Sequence, residues 1–236
     1  MLSESINYPR NDEDWVKTVL IGGVLGLLSF LIVPTFIVIG YLLRVVRATM
    51  HGDEEPPVFD DWGDMTIDGL KGFVIAFVYG LIPAIIAGVF GFAGIMGAVA
   101  GNGSQTAGIF GGIVALVGLL LALVLGLLAA YIIPAALSNY AETDRLGAAF
   151  DFGTLRPILM SGKYATAWLM AFAVLFASSI LVGVLNVIPL LGFVVGAFVT
   201  FYAAVAAYYI IGTTWGELHD VEMMEEGDMP GEQPAV

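Results

Sequence analysis

Residues 168–211 read WLMAFAVLFASSILVGVLNVIPLLGFVVGAFVTFYAAVAAYYII and include no charged residue and no histidine. A single helix of this length would be about 66 Å long, roughly twice the thickness of the hydrocarbon core of a bilayer. The stretch must therefore turn back. Asn186-Val187-Ile188-Pro189 is the natural turn, because proline starts a helix easily but removes a hydrogen bond from its interior. The pattern predicts two membrane-spanning helices here, at about residues 165–186 and 189–213.

Three more stretches lack charged residues, at residues 18–43, 73–100 and 109–137. Each is longer than the roughly 20 residues that span a bilayer. Of the 236 residues, 59% are hydrophobic and 12% are charged, about half the charged fraction of a soluble domain, which excludes a soluble globular protein. We predict an all-α integral membrane protein, a bundle of six or five transmembrane helices at about 15–32, 34–50, 70–99, 109–137, 165–186 and 189–213.

The number of helices depends on Ile32-Val33-Pro34, within the first apolar stretch. If one long helix is only kinked at Pro34, Arg10 and Lys17 lie across the membrane from the other basic residues. If the chain turns back there, the stretch is a helical hairpin, and all eight basic residues share one side: Arg10, Lys17, Arg44, Arg47, Lys71, Arg145, Arg156 and Lys163. Because Lys and Arg favour the cytoplasmic side, the pattern favours the hairpin, with both termini in the cytoplasm.

The expected organisation is a cytoplasmic segment of residues 1–14, a single transmembrane domain over residues 15–213, and an acidic tail of residues 214–236. Interfacial loops at residues 51–69 and 138–164 connect the helices on the cytoplasmic side. We predict that the tail is disordered, because its last 20 residues carry seven carboxylates and no Lys or Arg.

Both cytoplasmic loops contain a short pattern of Phe-Asp, an aromatic residue and Gly. The first loop has Phe59-Asp60-Asp61-Trp62-Gly63, and the second has Phe150-Asp151-Phe152-Gly153. We expect each loop to form a short helix in the membrane interface, with Asp60 capping the first. These two segments are the candidate interaction motifs.

The sequence predicts no catalytic residue, no cofactor and no metal site. The chain has no cysteine, and His51 and His219 belong to no catalytic pattern. Seven carboxylates occur from Asp53 to Asp68, but without the spacing of an EF-hand loop, so solvated surface is the simpler interpretation beside a cation site. Inside the apolar stretches, which contain no Asp, Glu, Lys, Arg or His, Asn186 is the best candidate for a functional polar group.

The net charge of the chain and the position of its glycines indicate which partners to expect. The net charge of −13 argues against a nucleic-acid partner. Many of the 30 glycines lie in the apolar stretches, where small residues let helix backbones approach closely. Besides membrane lipids, we therefore expect a second copy of the chain or another membrane protein as partner.

Several segments together carry a family resemblance: Tyr8-Pro9, Asp14-Trp15-Val16-Lys17, Ile21-Gly22-Gly23, Val38-Ile39-Gly40-Tyr41-Leu42, Arg44-Val45-Val46-Arg47 and Gly52-Asp53-Glu54-Glu55-Pro56-Pro57-Val58-Phe59-Asp60-Asp61-Trp62-Gly63. They resemble the uncharacterised membrane-protein family catalogued as domain of unknown function 4013, found in archaea and bacteria. The resemblance is dense over residues 8–83 and looser afterwards. It implies an integral membrane protein and transfers no site. The acidic excess also resembles that of salt-in halophilic archaea, which suggests such a source.

Three functions are compatible with this sequence. The favoured one is a non-catalytic scaffold or partner-binding membrane subunit, because the loops carry paired motifs and the chain lacks catalytic patterns. The second is a passive channel or small-solute permease through a glycine-rich bundle. The third is an interfacial lipid-handling enzyme that uses the loop carboxylates.

Overall fold

The computed structural model describes residues 1–101 and 104–227, without the side chains of Pro189 and residues 220–227. Residues 228–236, the end of the predicted tail, lie outside the described residues. Throughout the described residues the structure is helical, without strands. The α-helices are α1 (Leu2–Asn7), α2 (Trp15–Leu27), α3 (Val33–Met50), α4 (Trp62–Ala100), α5 (Gln105–Thr143), α6 (Phe152–Leu159), α7 (Gly162–Leu185) and α8 (Pro189–Gly227).

Five helices are long and apolar enough to cross a membrane, namely α3, α4, α5, α7 and residues Leu190–His219 of α8. The prediction of an all-α membrane protein is therefore confirmed. Helix α2 is apolar as well, but its 13 residues make it only about 20 Å long, less than the hydrocarbon thickness. The first apolar stretch thus supplies one helix of spanning length and one shorter helix.

The first apolar stretch breaks at Ile32. A 3₁₀ turn at Ser29–Leu31 follows α2, and α3 begins at Val33 with Pro34 in its first turn. Ile32 itself has φ +65° and ψ −57°, a conformation that a β-branched residue rarely adopts. The stretch is two separate helices and not one kinked helix.

The two helices run in opposite directions along α8. In α2, Gly22 packs against the ring of Phe201, whereas Gly26, further along α2, faces Ala197, earlier in α8. Helix α2 is therefore antiparallel to α8.

Helix α3 runs parallel to α8, since Thr49 adjoins Gly212 and the next residue, Met50, adjoins Gly216. Helices α2 and α3 therefore form a hairpin. Its open end brings the N-terminal segment beside the loop after α3, where the Tyr8 hydroxyl donates to the Glu55 carbonyl oxygen at 3.1 Å.

Three helices are longer than the sequence suggested, and one of them is α5, which spans Gln105–Thr143 where residues 109–137 were expected. Helix α4 begins at Trp62 and continues to Ala100, so the expected interfacial helix of the first loop is the first part of α4. Helix α8 continues to Gly227, past the expected start of the tail at residue 214. In the second loop the expected short helix is present as α6, with Leu155 and Ile158 buried.

Residue contacts divide the chain into two compact units, where the sequence suggested a single domain over residues 15–213. Unit 1 comprises Met1–Gly72 and Ala135–Val236, and unit 2 comprises Phe73–Pro134. All 29 charged residues belong to unit 1, since unit 2 contains no Asp, Glu, Lys or Arg. Unit 2 consists of the parts of α4 and α5 that pack against each other as a second hairpin.

Within unit 1, α3 and α4 touch through glycine. A Cβ atom added at Gly69 would overlap the carbonyl oxygen of Phe36, and one added at Gly40 would overlap the carbonyl oxygen of Met65. Both neighbours are backbone atoms, which cannot move without displacing a helix. The contact between α3 and α4 therefore requires glycine at both positions.

We expect Gly69→Ala to lower the stability of the protein by about 2 kcal/mol, because the added methyl group forces α3 and α4 apart. The measurement is thermal unfolding in detergent. Gly63→Ala is the matched control on the same helix, because a Cβ at Gly63 meets nothing within 4 Å. Equal melting temperatures for the two variants would contradict the tight contact.

At the tip of the first hairpin, we expect Ile32→Gly to stabilise the protein by about 1 kcal/mol, since glycine adopts a positive φ without steric cost. The neighbouring variant Val33→Gly should lose about 1 kcal/mol, because Val33 is already helical. Opposite shifts in the unfolding temperature are expected. Destabilisation by Ile32→Gly comparable to that of Val33→Gly would mean that residue 32 is not strained.

Candidate functional site

A cluster of charged side chains joins three helices in unit 1, with Arg47 of α3 at its centre. Arg47 Nη1 lies 2.6 Å from Asp68 Oδ2 of α4. Its Nε donates to the Ala141 carbonyl oxygen of α5 at 2.9 Å, and its Nη2 lies 3.5 Å from Asp144 Oδ1. One guanidinium group therefore holds the ends of α4 and α5 against α3.

The second oxygen of Asp68 is bound as well. The hydroxyl group of Tyr140, a fully buried residue of α5, donates to Asp68 Oδ1 at 2.9 Å. Lys71 Nζ lies 3.7 Å from the same oxygen and 3.8 Å from Asp144 Oδ1. The Tyr140 ring also lies beneath both cations, with 5.9 Å from its centroid to Arg47 Cζ and 5.6 Å to Lys71 Nζ. The two cations and two carboxylates thus neutralise each other.

A cavity of about 560 Å³ opens beside this network. His51, Asp64 and Glu142 complete its polar lining. Among the described side chains, no three His, Asp or Glu residues are arranged to hold a metal ion. Because its charges are already paired, the network is suited to holding the helix ends together. Its polar side chains are also suited to solvating this end of unit 1.

Two further polar contacts attach α8 to its neighbours. Trp215 is fully buried, and its Nε1 donates to Glu142 Oε2 of α5 at 2.7 Å. Lys163 Nζ, at the start of α7, lies 2.9 Å from Glu217 Oε2 of α8. These contacts explain why α8 continues as a helix beyond its apolar part.

The first candidate motif is partly buried in unit 1. Phe59 stacks on Tyr41 of α3 with 4.2 Å between ring centroids, and its centroid lies 6.1 Å from that of Phe201 of α8. Trp62 stacks on the outer side of Phe59 at 5.8 Å. Asp61, Trp62 and Gly63 are exposed. The aromatic residues of this motif close the space between α3 and α8.

Asp60 does not cap the helix that follows it, contrary to the expectation. The helix begins at Trp62, so Asp61 is the residue that precedes it. The Asp60 carboxylate instead pairs with Arg44 Nη1, which also donates to the Asp60 carbonyl oxygen at 3.1 Å. The ion pair with α3 determines the orientation of Asp60.

In the second motif, Phe150 to Gly153, the aspartate makes its polar contacts within its own segment of the chain. Asp151 caps α6, because its carboxylate accepts hydrogen bonds from Gly153 N at 2.9 Å and from Thr154 Oγ1 at 3.2 Å. Phe150 is half-buried, whereas Phe152 and Gly153 are exposed. Among the described residues, Asp60 pairs with Arg44 and Asp151 with the start of α6, so the similar sequences have different structural partners.

Asn186 ends α7 at the turn into α8. Its Nδ2 donates to the Val182 carbonyl oxygen at 2.9 Å. A cavity of about 400 Å³ adjoins this turn and is also lined by Ser29 and Thr200. The side-chain amide of Asn186 thus caps the last turn of α7, and it lies at the edge of a small cavity.

The sequence alone does not connect the residues of the charged network. Arg47 and Lys71 are predicted on the cytoplasmic side and Asp68 belongs to the acidic run of the first loop, but no pattern joins Tyr140 or Asp144 to them. One sequence signal was present, because Asp68 and Lys71 are three residues apart and so share a helix face. The distant partners on α3 and α5 have no signal in a single sequence.

We expect Asp68→Asn to destabilise the protein by about 2 kcal/mol, since Arg47 and Lys71 lose their shared anion in a half-buried site. Asp64→Asn is the control, because Asp64 lines the same cavity and lies on the same helix but is exposed. Its effect should stay within about 0.5 kcal/mol. Chemical unfolding in detergent measures both. Similar losses for both variants would contradict the role assigned to Asp68.

Comparison with known proteins gives one match. The sequence model of a family described as "Protein of unknown function (DUF4013)" matches residues 27–187, which is more than half of the chain. The match begins after the N-terminal segment and ends at the turn between α7 and α8. No curated protein and no solved structure matches the chain.

Proposed function

The chain belongs to the DUF4013 family of proteins of unknown function, and from that premise we propose that it is a non-catalytic membrane subunit that binds a transmembrane helix of a partner. The binding surface is one face of α4 in unit 2. The observation that carries the proposal is a row of small residues on that face, whose two glycines have open space beside them in the described part of unit 2.

Unit 2 has glycines of two kinds. One kind lies between its own helices: a Cβ at Gly94 would lie 2.7 Å from the Gly111 carbonyl oxygen, and a Cβ at Gly118 would overlap Phe90. The other kind is open. A Cβ at Gly80 or at Gly88 would meet nothing within 4 Å.

The open glycines of α4 are placed for helix pairing. Gly80, Ala84 and Gly88 follow one another at intervals of four residues, so they lie on one face of the helix. A glycine inside a helix costs about 1 kcal/mol relative to alanine, and a face directed only at lipid has no need of it. Close approach of a second helix is the ordinary use of such a face in a membrane.

The chemistry of unit 2 suits a partner helix of apolar character. Unit 2 contains no charged residue, so binding there depends on close packing and on backbone contacts. The partner is a transmembrane helix, either from a second copy of the chain or from another membrane protein.

The other two candidate functions have less support. A channel through unit 1 is disfavoured by the rings of Tyr41, Phe59 and Phe201, which pack together between α3 and α8. An interfacial enzyme that used Asp60 and Asp151 is disfavoured because one carboxylate is paired with Arg44 and the other caps α6. Both carboxylates are therefore committed to structural contacts.

The orientation belongs to the same proposal. The N-terminal segment and the loop after α3 lie at one end of unit 1, where Arg44, Arg47 and Lys71 also cluster. Lys and Arg beside membrane spans favour the cytoplasm. We therefore assign this end, with both termini, to the cytoplasmic side of the cell membrane.

The test is the mass of the complex in lipid. We expect the protein, extracted with native lipids into nanodiscs, to exceed the 24.9 kDa of one chain in native mass spectrometry by the mass of a further polypeptide chain, which is larger than that of bound lipid. A double variant, Gly80→Leu with Gly88→Leu, should return a single chain, because the leucines prevent close helix approach.

The control for this experiment is Ile82→Leu with Val89→Leu, which places leucines at exposed positions of the same helix and should keep the complex. The added mass identifies the partner as a second copy or as another protein. A single chain from the unmodified protein would refute the proposal, and so would a complex that survives Gly80→Leu with Gly88→Leu.

A further inference from the structure

An apolar groove crosses the surface of unit 1 between α7 and α8. Its volume is about 640 Å³, within the range of sites that hold small apolar ligands. Along α8 its lining extends from Phe198 to Ala206, which corresponds to about 12 Å of helix. Leu2 and Ile6 of α1 line the same groove, so the N-terminal segment borders it.

One cation belongs to this groove. Arg10 is part of its lining, and its Cζ lies 5.6 Å from the ring centroid of Trp15 and 5.7 Å from that of Tyr202. The two rings hold the guanidinium group at the groove while leaving the residue exposed. The Tyr202 hydroxyl donates to the Ile6 carbonyl oxygen, which fixes the N-terminal segment at this position.

Arg10 lines this groove and, unlike the cations that join the helices of unit 1, has no anion. Arg44 pairs with Asp60, Arg47 with Asp68, and Lys163 with Glu217. Among the side chains that the structure describes, Arg10 pairs with no carboxylate. Beyond a hydrogen bond with Tyr202, its guanidinium N–H donors are therefore available at the interface beside the apolar groove.

We infer that this groove binds a phospholipid, with one hydrocarbon chain along α7 and α8 and the phosphate on Arg10. An acyl chain matches the apolar lining, and a guanidinium group binds phosphate oxygens through two parallel hydrogen bonds. Trp15 is a residue type favoured at the level of lipid headgroups, next to the phosphate that Arg10 binds. The site is separate from the face proposed for a partner helix, so it goes beyond the proposed function.

The charge of the chain indicates the kind of headgroup. Asp12, Glu13 and Asp14 follow Arg10 directly, and the whole chain has a net charge of −13. A headgroup with further negative charge beyond the phosphate is disfavoured by these carboxylates. The ligand is therefore a zwitterionic phospholipid, whose phosphate is balanced by an ammonium group.

The experiment compares two lipids with identical acyl chains, phosphatidylcholine and diacylglycerol, which differ only in the phosphocholine group. Binding to the purified, delipidated protein in detergent is titrated by native mass spectrometry. We expect one phosphatidylcholine to bind about tenfold more tightly than diacylglycerol, as a charge-assisted hydrogen bond to phosphate implies. Arg10→Gln should remove this preference and leave diacylglycerol binding unchanged.

A second variant tests the groove itself. Ala177→Trp fills the groove from α7 and should weaken the binding of both lipids at least tenfold. Leu175→Trp is its control, since Leu175 is exposed on the same helix but does not line the groove. Arg156→Gln is the control for the charge, because Arg156 is an exposed arginine at another place in unit 1.

Thermal unfolding identifies variants that fail to fold, and Arg10→Met and Ala173→Phe then replace Arg10→Gln and Ala177→Trp. An unchanged preference in the Arg10 variant would overturn the inference, and so would unaltered lipid binding when the groove is filled. Displacement of phosphatidylcholine by millimolar inorganic phosphate would overturn it as well, because the site would then be one for free phosphate. The mass of the protein complex in nanodiscs should not respond to these variants, which separates this test from that of the partner helix.

Discussion

Close approach of helix backbones at glycine is the constraint on which unit 1 depends. Gly40 and Gly69 bring α3 and α4 into contact, and Gly212 and Gly216 bring α8 against the end of α3. In a bilayer no hydrophobic force pushes helices together, so their association depends on packing and on polar contacts. A methyl group at any of these positions would meet backbone or a short side chain. The arrangement of α3, α4 and α8 is therefore specified by residues that have no side chain.

The charged network is a consequence of this packing. Arg47 of α3 reaches Asp68 of α4 because the backbones of these two helices are in contact at Gly40 and Gly69. The paired charges then hold the helix ends in place and allow a half-buried guanidinium group to remain charged near the membrane. The same end of unit 1 contains Arg10, which has no carboxylate partner among the described side chains. What marks Arg10 as a candidate ligand-binding residue is its place in the lining of the apolar groove, beside the rings of Trp15 and Tyr202.

Much of the fold was predictable, because the signals that specify it are local. The absence of charge over residues 18–43, 73–100, 109–137 and 168–211 indicates membrane spans directly, and Pro34 and Pro189 mark the helix starts that the structure contains. The lengths of α4 and α8 were underestimated, since the first turns of α4 pack against α3 and the end of α8 is attached through Trp215 and Glu217. Tertiary contacts of this kind extend a helix beyond its apolar part.

The sequence by itself determined that this is a multi-pass helical membrane protein with its charge outside the four long apolar stretches, because the cost of placing a charge or an unpaired peptide group in lipid acts on every residue separately. Only the tertiary structure decided which polar groups are paired. In the folded protein, Asp60 pairs with Arg44, and Asp151 caps α6. Asp68 pairs with Arg47 and accepts a hydrogen bond from Tyr140. Pairing depends on which helices are neighbours, and that choice is made by packing between residues far apart in the chain.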